Sequence, residues 1–351
     1  MKPSEELLHF LEENPLPWLW YSEEKQKLIM VVDNHLMSTY RACPQHFINA
    51  HVLGLRRKSE FKEGTVDRNW YLEFGILLHR ALEIYYKNFQ NPNFDNVAFC
   101  TQSGVALWNA AEMDIFTEHK EYKLIGGVHG FVGLLIQYST LFNARVEKLR
   151  IIGTEVAFGK NLEVPLWSDC FQEFYLAGRM DLIVDDGYFI CPMDHKTMGS
   201  FRGEPALRFA TDEGPTGYIF ALKTILPQFL GENEILKRDC SKILMNLISK
   251  TPTTTPQERF LRVPLRKTVE QLELYRERMI TTCQHLLTDM EHVAAGWPVW
   301  RNTQVCQNWM HLPCAYFDLC RQGSQELVQM TIKNGFTKTP LWDTEAVEAA
   351  S

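Results

Sequence analysis

The stretch "AGRMDLIVDDGYFICPMDHKT", residues 177–197, constrains the fold more than any other part of the chain. Two apolar runs flank Asp186-Gly187, a residue pair that is typical of a two-residue turn between antiparallel strands. With such a turn, Asp185 faces Tyr188 across the strand pair. The sequence therefore predicts a β-hairpin here.

One face of this hairpin collects charged side chains. In the predicted register Asp181 faces Pro192, and because side chains alternate along a strand, Asp181 shares a face with Asp194 and Lys196. Two carboxylates beside one ammonium leave an excess of acid, which needs either solvent or a divalent cation. An exposed strand end with a surface Asp–Lys pair is the alternative, since such pairs are common and stabilise little.

The remaining chain shows helical periods around a few short strands. Helices are predicted at 5–13, 37–55, 69–89, 101–147, 216–230 and 268–296, and further strands at 27–35, 151–159 and 242–249. Pro44 lies near the start of the second helix, and the last helix begins with a Thr268–Gln271 capping box and ends before Gly296. The polar last 30 residues are predicted to be a loosely held tail.

Composition sets further bounds on the class of protein. The chain has 351 residues, 45% of them hydrophobic and 23% charged, as in soluble globular proteins, and a net charge of −7. That charge gives no overall basic surface, so nucleic acid would have to bind in a local groove. An acidic N-terminus and a polar-interrupted apolar stretch at 124–144 favour a cytoplasmic protein with a buried helix there. Its nine cysteines are then expected to be reduced or metal-bound.

The hairpin resembles the core motif of the PD-(D/E)XK nucleases. Gly178-Arg-Met-Asp181 precedes Pro192-Met-Asp194-His-Lys196, and upstream "FGILLHRALEIYY" supplies Gly75 and His79, which is similar to the helix signature of the RecB-type branch. Relatives in that branch include exonucleases of CRISPR adaptation and of phages. The resemblance implies an α/β, restriction-endonuclease-like core, a small mixed sheet flanked by helices, with a helical N-terminal part.

The resemblance also implies a domain organisation. A lead-in over 1–35 would precede a single nuclease domain over 36–322. Within that domain, 151–230 would be the catalytic core, and 264–322 a C-terminal helix with a cysteine clasp. Residues 323–351 would form the tail.

The resemblance implies a two-acid site for Mg²⁺ or Mn²⁺. Asp181 and Asp194 would bind the cation with His79 and the backbone carbonyl of His195, and Lys196 would orient the attacking water. From its own surroundings in the sequence, His79 has a second interpretation as an ordinary core histidine on an apolar helix.

Three further positions follow from the same resemblance. Glu155, on the strand before the hairpin, is a weaker site candidate. On the helix after the lysine strand, Tyr218 matches the family pattern, but Gly214 occupies the position of the family's glutamine. Gly214 therefore lacks the side chain that in the family usually steadies the active-site lysine or the DNA strand. Glu213 is a candidate substitute, and altered activity is the alternative.

Four cysteines follow the same order along the chain as in iron–sulphur members of the branch, with Cys43 before the histidine helix and Cys306, Cys314 and Cys320 after the core. The resemblance implies a [4Fe–4S] cluster that fastens the two ends of the chain. The Cys-x7-Cys spacing departs from the familiar one, so zinc on four thiolates and unligated cysteines remain alternatives.

The implied activity is that of a metal-dependent DNA exonuclease acting on single strands or free ends. Recombination, repair or replication in a bacterial or phage-infected cell, with a possible recombination partner protein, would be its context. The alternatives are a degenerate nuclease fold that binds DNA or a partner without cutting, and a metal-clasped interaction protein. Several basic residues are candidates for a DNA groove, with solvated surface charge as the alternative: Arg179, Arg202, Arg208, Arg262, Arg266 and Lys267.

Overall fold

The computed structural model describes most of the chain, and its residues group into two compact units. The described residues are 2–58, 61–62, 65–66, 69–164, 171–199, 201, 205–251, 255–306 and 313–338. Unit 1 comprises 1–67, 158–178 and 273–351, and unit 2 comprises 68–157 and 179–272. Each unit is therefore built from discontinuous segments of the sequence.

Eleven strands occur in the described residues. They are β1 (Leu19–Ser22), β2 (Lys27–Val32), β3 (Leu55–Arg57), β4 (Phe61–Lys62), β5 (Thr65–Val66), β6 (Arg150–Asn161), β7 (Gln172–Asp185), β8 (Ile190–Met198), β9 (Lys242–Ser249), β10 (Phe260–Arg266) and β11 (Phe336–Lys338).

Fourteen α-helices occur in the same described residues. They are α1 (Glu5–Glu13), α2 (Asn34–Ala42), α3 (Pro44–Phe47), α4 (Trp70–Lys87), α5 (Asn96–Ala98), α6 (Gly104–Ala110), α7 (Lys120–Ile125), α8 (Gly127–Leu141), α9 (Pro205–Thr211), α10 (Glu213–Ile225), α11 (Glu232–Ile235), α12 (Val269–Ala294), α13 (Phe317–Cys320) and α14 (Gln325–Gly335). Ile48–Val52 and Phe99–Ser103 are π-helical, and single 3₁₀ turns cover Met113–Phe116, Leu226–Gln228, Pro256–Arg259 and Thr303–Val305.

In unit 1, β1 and β2 form an antiparallel pair, and β2 runs parallel to the first half of β7, from Leu28 opposite Gln172 to Val32 opposite Leu176. β3 pairs with β11 in a second, two-stranded sheet. The antiparallel and parallel neighbours of β2 make the larger sheet mixed.

Unit 2 also has a mixed sheet. The second half of β7 is antiparallel to β8, β8 is parallel to β9, and β9 is antiparallel to β10. Helices cover both faces of these strands. On one face Phe74 of α4 and Leu134 of α8 belong to the buried cluster that contains Leu182 and Met193. On the other face Ile219 of α10 packs with Met245, Leu247 and their neighbours.

Helix α4 has the predicted position and the predicted buried stripe. It begins after Asn69, whose side chain accepts hydrogen bonds from the N–H groups of Tyr71 and Leu72. Its inward residues are buried, among them Phe74, Leu77, Leu78, Ala81 and Tyr85. The capping box of α12 is also confirmed, with both reciprocal Thr268–Gln271 hydrogen bonds formed and Gly296 at a φ of +75° beyond its end.

Two predictions about the ends of unit 1 are wrong. The helix expected over 37–55 begins earlier, at Asn34, and breaks at Cys43, because Pro44 lacks an N–H and starts a second helix at its first position. The expected tail contains helix α14, capped by Ser324, and the strand β11, while 339–351 lies outside the described residues. No helix of the described chain is long and apolar enough to cross a membrane.

Candidate active site

The hairpin between β7 and β8 forms with a longer loop than predicted. Asp185 pairs with Ile190, so four residues turn the chain instead of two. Asp186 Oδ1 accepts the N–H groups of Tyr188 and Phe189 at 3.0 and 2.8 Å, and Gly187 adopts a φ of +93°. The predicted register is therefore displaced by two residues, because the Asp186 side chain organises a wider turn.

Despite this displacement the two acids share a face, as predicted. The last paired residues are Leu182 and Met193, and continuing the register places Asp181 opposite Asp194. A shift of two residues preserves the face of every side chain, since the side-chain period of a strand is two. The acids therefore face each other where the strand pairing ends.

The carboxylate of Asp181 connects β7 to β8 and to helix α4. Its Oδ2 accepts the backbone N–H of His195 at 2.7 Å and lies 3.4 Å from Nδ1 of His79. Burial opposes ionisation of Asp181, but the hydrogen bond and charge of His79, together with His195, bring its pKa below the ordinary value. Burial works against the charged form of His79 too, yet its partner Asp181 raises the pKa of the imidazole overall.

Asp194 is buried, with a side-chain exposure of 4%, and pairs with Lys196. Burial and the negative charge of Asp181 raise the pKa of Asp194 to about 6, against the opposing effect of the Lys196 ammonium. For Lys196 burial is again unfavourable, but Asp194 raises the pKa of the amine above its ordinary value. Lys196 is therefore an ammonium at neutral pH.

Between these two residues, His195 points to the opposite face of β8, toward α4. Its ring is T-shaped to the ring of His79 at 5.9 Å and stacked on that of Tyr86 at 5.7 Å. Burial lowers the pKa of His195 to about 3, so the ring is neutral at neutral pH.

Glu155 reaches the site from an unusual backbone conformation. It lies within β6 but has a φ of +50°, a left-handed value that side chains other than glycine adopt rarely. Burial raises its pKa, and the charges of Asp181 and Glu83 raise it further. Its carboxylate lies 3.9 Å from Arg179. Such strained residues cluster at functional sites.

A cleft of about 570 Å³ opens beside these residues. One face of α4 and parts of β6, β7 and β8 line it: Tyr71, Leu72, Gly75, Ile76, His79, Arg80, Glu83, Glu155, Arg179 and Thr197. Three of these are large hydrophobic residues that are half exposed or more, namely Tyr71, Leu72 and Ile76. The sequence analysis missed these three as site residues, although they follow the spacing of His79 along the helix. Arg202 lies outside the described residues, and among the other proposed basic residues only Arg179 lines this cleft.

Gly214 supplies no side chain at the position of the family's glutamine, but Lys196 still has a charged partner, Asp194. Gly214 lies in the first turn of α10, where its N–H donates to the capping carboxylate of Asp212. Lys196 pairs with Asp194, and the charge of Asp212 is among the influences on its pKa. Tyr218 is half buried and packs against the hydrophobic cluster under α10.

The donor atoms suit a hard divalent cation. Carboxylate oxygens and one imidazole nitrogen are the ligands that Mg²⁺ and Mn²⁺ accept. Across the described part of the chain, no group of three or more His, Cys, Asp or Glu side chains is arranged to hold a metal ion as it stands. Side chains of the protein contact the carboxylates instead, with the ammonium of Lys196 on Asp194 and the imidazole of His79 beside Asp181. Binding a cation would therefore replace these contacts.

The four predicted cysteine ligands gather in unit 1. The N–H of Cys314 donates to the carbonyl of Cys306 at 2.7 Å, and Asn302 donates its N–H to Cys43 Sγ at 3.5 Å while its carbonyl accepts from Cys306. Cys320 ends α13. Burial raises the pKa of Cys320 to about 11, and the other three thiols are among its influences. The thiols are thus close neighbours.

As they stand in the described part of the chain, the four thiols form no group that is arranged to hold a metal ion. His46, which the sequence analysis did not consider, lies 3.5 Å from Cys314 Sγ through Nδ1.

Comparison with known families agrees with the fold. A model of the PD-(D/E)XK nuclease superfamily matches residues 36–321, which is most of the chain. The protein belongs to this superfamily. Members of the superfamily are nucleases that typically use Mg²⁺ or Mn²⁺. The mixed sheet of this protein, flanked by helices, confirms the predicted fold class.

Other comparisons add little. A solved structure described as "Crystal structure of SSO0001" is 15% identical, with a TM-score of 0.26, over 59% of this chain and 84% of that one. A TM-score this low carries no argument. No curated protein matches the chain.

Proposed function

We propose that this nuclease-family protein hydrolyses DNA in a metal-dependent reaction at the β7–β8 hairpin, as an exonuclease of the RecB-type branch. The observation that carries the proposal is the convergence of Asp181, Asp194 and Lys196 at the open end of one strand pair. A purely structural ion pair would need one carboxylate for one ammonium. Here the Asp194–Lys196 pair is faced by a second carboxylate, that of Asp181.

The side chains have distinct roles in this proposal. Asp181 and Asp194 bind the cation, with His79 and the backbone carbonyl of His195 as further ligands. When bound, Mg²⁺ or Mn²⁺ supplies an activated water and neutralises charge on the phosphate. Lys196, as an ammonium, orients that water and stabilises the negative charge that develops on the phosphoryl oxygens. The raised pKa of Lys196 argues against its acting as the general base.

The cleft supports a preference for unpaired DNA. Tyr71, Leu72 and Ile76 expose apolar surface beside the acids, and the exposed fraction of Leu72 is 62%. An unpaired base can stack on the ring of Tyr71 and make apolar contacts with the two aliphatic side chains, whereas a duplex hides its bases inside the helix. Single strands and frayed ends are therefore the proposed substrates. Processing of DNA ends in bacterial or phage recombination, repair or replication fits this preference.

The cysteine group has a structural role in the proposal. A [4Fe–4S] cluster on Cys43, Cys306, Cys314 and Cys320 would tie the first and last segments of unit 1 together, with four-thiolate zinc as the alternative. Since these segments are far apart in sequence, such a link would close a long loop. The cluster would stabilise the fold without taking part in hydrolysis.

A nuclease assay tests the function. Protein purified without oxygen is incubated with linear single-stranded, linear duplex and circular single-stranded DNA, in Mn²⁺, Mg²⁺ or EDTA. We expect metal-dependent release of nucleotides from linear single strands, with circular strands resistant. Asp194→Asn protein prepared in parallel controls for contaminating nucleases. Cutting of circles would replace the exonuclease by an endonuclease, and absence of any metal-dependent cleavage would leave a degenerate fold.

A further inference from the structure

The guanidinium of Arg262 lies inside unit 2, where the sequence suggested either a DNA groove or solvent. Its side chain is 16% exposed and pairs with Glu147, whose side chain is 13% exposed. It donates to the hydroxyl of Tyr86 at 2.9 Å and more weakly to that of Tyr138 at 3.4 Å. Its Cζ lies 4.1 Å from the ring centre of Phe142. The Arg262 side chain therefore belongs to the buried core of unit 2.

From Arg262 the hydrogen bonds continue to the active-site strand. The hydroxyls of Tyr86 and Tyr138 are 2.7 Å apart, and Asn246 Nδ2 donates to Tyr138 at 2.8 Å. The same amide nitrogen lies 2.8 Å from Nδ1 of His195. With the amide as donor, Nδ1 accepts and Nε2 carries the proton of the neutral ring. His195 and Asn246 are also paired residues of adjacent strands.

This network is a poor way to stabilise a core. Within the described chain, three of its buried atoms have no hydrogen-bond partner, namely Glu147 Oε2, Arg262 Nε and Asn246 Oδ1. An unpaired buried polar atom destabilises the folded state, and replacing a buried ion pair by apolar residues is often neutral or stabilising. Its presence therefore indicates a role other than stability.

The position of His195 on β8 affects the two site residues on either side of it. It lies between Asp194 and Lys196, which project from the other face, and its backbone N–H is bonded to Asp181. Rotating or shifting this residue would move both neighbours and release the carboxylate of Asp181. The strand pairing with β7 has ended by this point, so strand pairing holds His195 on the β9 side, opposite Asn246, and not on the β7 side.

We infer that Arg262, Tyr86, Tyr138 and Asn246 form a positioning network that holds His195, and with it the Asp194–Lys196 segment, in place for the cation. The inference rests on the proposed function, because it concerns the same metal site. None of the four residues needs to touch DNA or the cation. Partners behind metal ligands typically change metal affinity about 10- to 100-fold when they are removed.

The test measures Mn²⁺ affinity directly, by the electron paramagnetic resonance signal of free Mn²⁺ in titrations of metal-free protein. Asn246→Leu removes the contact to His195 at nearly constant volume, and Tyr138→Phe removes a single oxygen. We expect both to weaken Mn²⁺ binding about 10- to 100-fold, with cleavage partly restored at high Mn²⁺. Ser139→Ala is the matched control, because Ser139 is buried on the same helix but bonds to Cys100 and Ile136.

The outcomes separate the inference from the function. Folding of each variant is checked by denaturant unfolding without metal, and Tyr138→Phe carries the test if Asn246→Leu does not fold. Wild-type Mn²⁺ affinity in folded variants, or an equal loss in Ser139→Ala, overturns the positioning network and leaves the nuclease proposal intact. A wild-type protein that neither binds Mn²⁺ nor cuts DNA overturns both.

Discussion

The ammonium of Lys196 lies 2.9 and 2.7 Å from the two carboxylate oxygens of Asp194, two residues away on the same face of β8. Each group favours the charged form of the other, while burial of Asp194 works against its ionisation. The pair therefore keeps a carboxylate in a place that would otherwise protonate it. A cation that enters the site would compete with this ammonium for Asp194.

Loss of any of the three hairpin groups should lower the rate of cleavage by at least about 10²-fold. Asp181→Asn and Asp194→Asn remove metal-binding charge and should leave no measurable Mn²⁺-dependent cleavage. Lys196→Ala should lower the rate by about 10²–10³, the usual effect of losing one group that stabilises a developing oxyanion. Initial rates on linear single-stranded DNA provide the measurement. Lys223→Ala, an exposed lysine on α10, should keep the wild-type rate. Near wild-type rates in two of the three variants would contradict the site.

Replacing Glu155 by glycine should relieve backbone strain, whereas any loss of its carboxylate should slow cleavage. Glu155→Gly relieves the left-handed strain, whereas Glu155→Gln keeps it and removes only the charge. Because a left-handed L-residue costs about 1–2 kcal/mol, part of which the flexibility of glycine offsets, we expect the glycine variant to be more stable than the glutamine variant by about 1 kcal/mol. Urea unfolding measures the difference, and both variants should cut DNA more slowly. Equal stabilities would mean that the conformation is unstrained.

The cysteine group should carry iron. Protein purified without oxygen should be brown and contain iron and sulphide, and Cys320→Ser should bleach the colour and destabilise the fold, because cluster binding is coupled to folding. Cys240→Ser, a buried cysteine of unit 2, should do neither. Colourless protein with one equivalent of zinc would replace iron–sulphur by zinc. Absence of any metal, with a quadruple Cys→Ser variant as stable as wild type, would remove the cluster altogether.

Acidification should destabilise the fold through His51. Burial lowers the pKa of this histidine to about 4, below its ordinary 6.5. Between these values the unfolded chain binds the proton and the folded chain does not, so stability present above pH 6.5 is lost as the pH falls toward 4. The full loss is about 3 kcal/mol for this group. His51→Phe keeps a ring against Phe47. Urea unfolding should show a smaller decrease from pH 7 to 4 in the variant, and parallel decreases would contradict the assignment.

The shared face of Asp181 and Asp194 could be predicted because it depends on side-chain alternation along neighbouring strands, which is a local property. Alternation along a strand places Asp181 with Asp194 for any hairpin loop of even length, so an error of two residues in the turn was harmless. The turn itself was not predictable from Asp186-Gly187. Tyr188 and Phe189 pair with Asp239, far along the chain, and this pairing draws them away from β7.

Long-range contacts account for the other differences. Arg262 looks like a surface residue because its partners Glu147, Tyr86 and Tyr138 lie more than 100 residues away. Cys43 breaks a helix because Pro44 follows it, and its neighbours among the thiols come from the other end of the chain. Periodicity reports which face of an element is buried, but not which distant element covers it.

The two units also differ in when a ribosome would finish them. Unit 2 ends at Leu272, so every hairpin group, Glu155 and the network behind His195 have been synthesised by then. Unit 1 begins at the first residue but needs Glu273 onward, including three of its four clustered cysteines, before it can close. Domains generally fold as units during synthesis, in the order in which they emerge. The candidate active site can therefore assemble on the nascent chain before the three C-terminal cysteines that Cys43 would join have been synthesised, and insertion of the proposed cluster would be among the last steps of maturation.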